Sequence, residues 1–247
     1  MTFLSRQFQC SPIVPRVAPF VLFLTLTFCQ GQFGEGSRYW FYFAKTFVGA
    51  WLVWEMRAWV GEMKWTFSWA AVLTGIGVFA FWVGLDNFYP GLSELNEKAF
   101  KPLLRQLGLA SGTASPGTVV SPLWNPQAHF GEDSPLAWLI IITRIVGSTL
   151  VVPPLEEVFY RSFLYRYLIR PDFQSVSLGN FRWGSFLLTA VIFGIPHEQW
   201  LAGILCAFVY QALVCWKKQL GDAMTAHAIT NFLLGVWVVW KDAWNFW

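Results

Sequence analysis

Charge is what this chain has least of. Only 13% of its 247 residues are Asp, Glu, Lys or Arg, against about 25% in an ordinary soluble domain. A water-facing surface cannot be built from so few charges. Net charge is +3 and the basic residues are scattered, so a nucleic-acid-binding surface has no support. The four cysteines, Cys10, Cys29, Cys206 and Cys215, form no CxxC pattern. They read as small apolar packing residues rather than a disulfide or metal framework. There is no Gly-rich phosphate loop and no H-E-x-x-H zinc motif. No Ser or Cys stands in a recognisable nucleophile context, which disfavours an acyl-enzyme. The absence of an internal repeat weighs against a repeat-built transporter that carries protons on buried carboxylates. No cleavable signal peptide is evident. The first apolar run starts after Arg16 without a small-residue cleavage site behind it, and reads as an anchor.

What is present is apolar and aromatic. The chain is 55% hydrophobic with 16 Trp and 24 Phe, and its mean hydropathy is +0.46. The expected fold is all-α: a polytopic membrane bundle of about seven to eight helices with its active site inside the C-terminal half. Spans are expected near residues 17–29, 39–54, 68–89, 136–152, 183–195, 199–216 and 222–240. Lys45 is expected to snorkel to the interface. Residues 94–109 read as a short interfacial helix and 110–122 as a Gly/Ser/Pro-rich loop. Pro153-Pro154 should end the fourth span and start a new helix, with Glu156 and Glu157 in its first turn. Residues 1–134 are expected to supply N-terminal helices and 135–247 a catalytic core within one integrated membrane domain. The clusters Arg6/Arg16 and Arg57/Lys64 fall on one side of such a topology, but Lys98, Lys101 and Arg105 fall on the other and blunt the positive-inside argument.

Several polar residues sit where lipid should be. Glu157 and Arg161 are at i and i+4 on one helix face, and Glu156 projects about 100° away. His197 ends the fifth span. His227 and Asn231, again i and i+4, share a face of the last. Each has a plain reading: Glu157–Arg161 as a structural ion pair, the histidines as interhelical hydrogen bonders. Arg144 is expected either to pair with a carboxylate such as Glu157 or to reach an interface, and His129 to be solvated. Taken together, two carboxylates, two histidines, an Asn and an Arg on three helices need partners in a low dielectric and gain most by meeting. A glutamate beside a histidine can deprotonate water, and a histidine with an amide can stabilise an oxyanion. Alternatively Glu156, His197 and His227 could hold a divalent metal such as zinc.

At these residues the sequence resembles the CAAX-protease and bacteriocin-processing (ABI) family of intramembrane proteases, which includes prenyl-protein endopeptidases. Glu156-Glu157-Val158-Phe159-Tyr160-Arg161 fits the family's E-E-x-x-x-R, Phe193-Gly194-Ile195-Pro196-His197 its F-x-x-x-H, and His227-Ala228-Ile229-Thr230-Asn231 its H-x-x-x-N. The ordered set is specific; it covers roughly 135–240. The resemblance implies that Glu156 with His197 activates water, that Glu157 pairs with Arg161, and that His227 and Asn231 bind the oxyanion. It implies a membrane-anchored peptide or protein substrate, lipid-modified or not. The motifs do not decide between a metal and a glutamate-activated water; Arg161 beside the carboxylates would oppose a dication, so chemistry with no cofactor is the expectation. The aromatic-rich N-terminal half is similar to a bacterial subgroup tied to exosortase gene clusters, which implies the bacterial inner membrane. A non-catalytic immunity or scaffold protein of the same fold is the alternative.

Overall fold

The computed structural model describes residues 8–9, 11–109 and 123–247; the loop read at 110–122 and Cys10 lie outside the described residues. The fold is all-α, and the described residues hold no strand. In chain order the helices are α1 (Val14–Phe28), α2 (Ser37–Met56), α3 (Trp69–Leu85), α4 (92–106), α5 (Pro126–Phe130), α6 (Pro135–Ile169), α7 (Trp183–Gly194), α8 (Trp200–Lys217) and α9 (Gly221–Lys241). Four helical stretches are long and apolar enough to cross a membrane: Trp69–Gln106, Pro135–Ile169, Trp200–Lys217 and Gly221–Lys241. α1 and α7 are shorter apolar helices, and α2 carries Arg38, Lys45 and Glu55. This is an integral membrane protein. Large side chains such as Phe67, Trp69, Trp216 and Trp240 lie exposed on the outside, where lipid is the solvent.

The helices close on small residues, as expected where lipid removes the hydrophobic drive between helices. α3 crosses α9 at Gly75. A Cβ there would stand 2.6 Å from the Ala226 carbonyl oxygen and 2.8 Å from Ile229 Cβ. The Gly75 carbonyl also accepts from Thr230 Oγ1 at 2.9 Å. Gly75→Ala is therefore expected to destabilise the bundle by about 1–3 kcal/mol, read as a lowered thermal midpoint in detergent; an unchanged midpoint would mean that the two backbones can part freely.

α6 corrects the sequence reading. It does not stop at Pro153-Pro154 but runs unbroken from Pro135 to Ile169, so the glutamates lie deep within a helix rather than in a first turn. A wider, π-type turn over Gly147–Val151 accommodates the proline pair, and the Val152 N–H bonds the Gly147 carbonyl, five residues back. A second wide turn, Val158–Leu164, follows the glutamates.

Arg16 and Arg166 meet at one end of the bundle. Glu62, between α2 and α3, accepts from Arg16 Nη2 at 2.8 Å and 2.9 Å through its two oxygens, from Arg166 Nη2 at 2.8 Å, and from Ser162 Oγ. At the same end Asp222, at the start of α9, accepts from Ser68, Thr66 and Gln219 and ties α9 to α3. Burial alone would raise the Glu62 carboxyl, but the Ser162 hydrogen bond and the Arg16 charge outweigh it and hold it below the usual carboxylate range. A carboxyl depressed in the folded state contributes stability above its unfolded value, about 4.3, and that contribution fades as pH falls through the folded value. The thermal midpoint is expected to fall more steeply with acidification below about pH 4 in the wild type than in Glu62→Gln. Parallel curves would remove Glu62 from the account.

Two cations take aromatic partners. Lys45 does not snorkel. It is buried, donates to Thr27 Oγ1 at 3.0 Å, and lies against the Phe23 and Tyr42 rings. Arg144 does not reach Glu157; its guanidinium sits among Tyr42, Trp124 and Trp247, 4.2 Å from the Trp124 ring centre. In each case ring faces nearby supply the negative potential that a distant carboxylate would have supplied.

Candidate active site

Glu157 is the centre of the site. Its side chain is fully buried, as is that of Arg161 one turn on. Arg161 Nε stands 3.2 Å from Glu157 Oε2, an ion-pair distance without hydrogen-bond alignment. The guanidinium lies over the Phe193 ring at 4.5 Å and near the Tyr160 and Tyr210 rings. The other Glu157 oxygen, Oε1, meets His227 Nδ1 of α9 at 2.9 Å. One carboxylate thus holds a cation of its own helix and the imidazole of another.

Glu156 points elsewhere. Its side chain keeps 18% exposure, and its Oε2 lies 4.0 Å from His227 Nε2. Among the described residues it accepts no hydrogen bond. With Nδ1 occupied by Glu157, the remaining ring nitrogen of His227 faces the same gap as Glu156.

His197 sits in the turn between α7 and α8. Its Nδ1 bonds the Phe193 carbonyl at 2.9 Å, its ring stacks on Phe193 at 5.1 Å, and Trp82 meets it edge-on at 5.7 Å. Gly203 leaves the space for this turn: a Cβ there would lie 3.0 Å from Gly194 Cα and 3.5 Å from His197 Nδ1. Among the described residues no hydrogen bond joins His197 to Glu156.

Asn231 is held by a consequence of the proline pair. The Val152 N–H is taken by Gly147, and Pro153 has no N–H, so the Ser148 carbonyl has no helical donor. Asn231 Nδ2 donates to it at 2.8 Å. The amide nitrogen carries two hydrogens, so one remains.

The structure therefore brings Glu157, Arg161 and His227 into direct contact, sets Glu156 4.0 Å from His227 with His197 nearby, and fixes Asn231 one turn from His227. It also adds residues that sequence reasoning missed. Tyr210 of α8 stacks on His227 at 5.3 Å and donates to Thr230 Oγ1 at 2.7 Å, while Thr230 in turn bonds back to α3 and α9. A Tyr in the middle of an apolar helix is a weak signal, since its hydroxyl must find a partner wherever it is buried. Among the described residues no group of three His, Cys, Asp or Glu side chains is placed to hold a metal ion, and Glu156, His197 and His227 do not converge on one point.

Residues 136–233 match the family model of Rce1-like type II CAAX prenyl endopeptidases. The Rce1-like stretch contains all six predicted site residues and bears out the family resemblance read from the motifs. Rce1-like proteins are a peptidase family, so the match supports a protease in the membrane. No curated protein and no solved structure matches the chain. Within the Rce1-like stretch, α6, α7, α8 and α9 carry the site; α3, outside it, contributes Trp82 and the backbone at Gly75.

Proposed function

We propose that the protein is an intramembrane endopeptidase in which Glu156 activates the attacking water. The observation that carries this reading is the division of labour between adjacent glutamates. Glu157 is used up by Arg161 and His227, while Glu156 is partly exposed and faces His227 Nε2 across 4.0 Å. A water within reach of Glu156 Oε2 and the imidazole can lose a proton to Glu156 as it attacks a peptide carbonyl. When His227 carries both ring protons, Nδ1–H is held by Glu157 and Nε2–H is left to donate to the oxyanion. The second Asn231 amide hydrogen is a further donor. His197, with Nδ1–H donated to the Phe193 carbonyl, has Nε2 free to accept from the same water, and the proton taken by Glu156 passes to the leaving amine as the C–N bond breaks. Arg161, at 3.2 Å from Glu157, adds positive charge that opposes a dication and favours chemistry without a metal.

The substrate is a membrane-associated peptide. An apolar groove of about 340 Å3 runs between Thr149 of α6 and Thr225, Ala228, Ile229 and Phe232 of α9, with Trp65 and Phe67 at its rim. Ala228 follows His227 directly, so this groove supports a substrate that brings an apolar chain, lipid-derived or side-chain, next to the site. The test is a comparison of membrane proteomes from cells carrying wild-type protein or Glu156→Ala. An uncut precursor accumulating with the variant, and cut by purified wild-type protein, is the expected result. Identical proteomes together with unchanged cleavage by the purified variant would leave the non-catalytic reading.

A further inference from the structure

A cavity of about 630 Å3 opens where α6 ends and α7 begins, about three and a half helical turns beyond Glu156 along α6. Its polar lining is Arg170, Ser175, Asn180, Arg182 and Ser185, and no carboxylate lines it. The contrast with neighbouring arginines is sharp. Arg16 and Arg166 are both consumed by Glu62. Arg170, one turn past Arg166, and Arg182 across the cavity form no ion pair through their side chains among the described residues.

Two further features point to an anion. α7 begins at Trp183 with Arg182 as its N-cap residue and no side-chain cap, and Gly184 and Ser185 of its first turn line the cavity. Unmatched backbone N–H groups at a helix N-terminus favour negative charge. Ser185 is only 7% exposed, yet its hydroxyl has no hydrogen-bond partner among the described residues while it lines the cavity. Its oxygen opens onto the cavity, where the hydroxyl can donate to an anion.

The surroundings select the source of that anion. Phe181 and Trp183 are exposed and pack edge-to-face at 4.8 Å, the aromatic signature of a membrane–water boundary. Leu187, Leu188 and Val191 lie exposed further along α7, forming an apolar track that leads away from the polar cavity. The same end of the bundle holds Arg16, Arg57, Lys64, Arg166, Lys217 and Lys218: Glu62 joins Arg16 to Arg166, Gln219 reaches Thr66, and Gly179 packs on Lys218. Such a basic end belongs at the cytoplasmic leaflet, where anionic lipids attract it.

We infer that this cavity binds the phosphodiester headgroup of an anionic phospholipid, with its acyl chains along Leu187, Leu188 and Val191. The test is native mass spectrometry of the full-length protein from micelles holding equal amounts of phosphatidylglycerol and phosphatidylcholine with matched chains. Wild-type protein is expected to retain phosphatidylglycerol preferentially. R170A/R182A should lose that preference by on the order of tenfold, R170A alone by less, and R170K/R182K should keep most of it, because charge near the headgroups carries the attraction. Equal retention of both lipids by wild-type protein, or an undiminished preference in R170A/R182A, overturns the site. If the alanine pair unfolds, R170A, at an exposed position, decides alone. A second arm adds water-soluble glycerol 1-phosphate: displacement of the lipid at equal concentration would assign the cavity to free phosphates and overturn the lipid source. Binding is read without any cleavage, so the result stands apart from the peptidase reading.

Discussion

Replacing Glu156 with alanine or glutamine is expected to lower peptide cleavage by at least about a hundredfold while leaving the protein folded. The two halves of that expectation have one cause. Glu156 keeps 18% exposure and has no hydrogen-bonded partner among the described residues; His227 Nε2 is 4.0 Å away. Removing its charge therefore breaks no hydrogen bond and no short ion pair, and thermal stability should stay close to that of the wild type. Chemistry should suffer because neither alanine nor an amide accepts a proton from water. The loss should fall on kcat with KM little changed, since a general base acts in the transition state rather than on substrate binding. Wild-type turnover in Glu156→Gln would remove Glu156 from the mechanism. A collapsed thermal midpoint would instead show a structural role the geometry does not predict.

Replacing Glu157 with alanine is expected to do the reverse first: to destabilise the bundle by about 3–5 kcal/mol, with loss of activity as a consequence. Arg161 would remain fully buried, over the Phe193 ring, with no carboxylate in reach. His227 would lose the contact that orients its ring. Removing one member of a buried pair leaves an uncompensated charge, whereas removing both can be nearly neutral. Glu157→Ala with Arg161→Met should therefore recover much of the stability lost by Glu157→Ala alone, without recovering activity. The recovery is read from a double-mutant cycle of thermal midpoints in detergent. Additive losses in that cycle would mean that the two side chains do not act as a pair. The two neighbouring glutamates thus make opposite predictions from one principle, the cost of stranding a charge where water cannot reach.

Much of this was present in the linear chain, and the reason is locality. Scarcity of charge and abundance of Phe and Trp exclude a water-facing surface whatever the fold, so membrane residence and helicity follow from composition. The Glu157–Arg161 pair follows from spacing alone, because residues at i and i+4 on a helix are neighbours before any tertiary contact forms. The order of the three motifs was enough to indicate the resemblance that the match over residues 136–233 bears out, although no single one of them was.

Contacts between helices were not readable in that way. Whether His227 would turn to Glu156 or Glu157 depends on the rotation and depth of α9 against α6, which Gly75 and Ala226 set through α3. That Asn231 would be anchored by Ser148 required knowing that α6 continues through Pro153-Pro154 with a wide turn that leaves one carbonyl open. Lys45 and Arg144 found aromatic faces on other helices, a solution no sequence offset announces. Tyr210 reached His227 from a helix with no motif. The sequence by itself determined a helical membrane protein and named the groups that must find partners. Only the tertiary structure decided which partners, because within the bilayer those pairings are set by backbone approach between helices far apart in the chain.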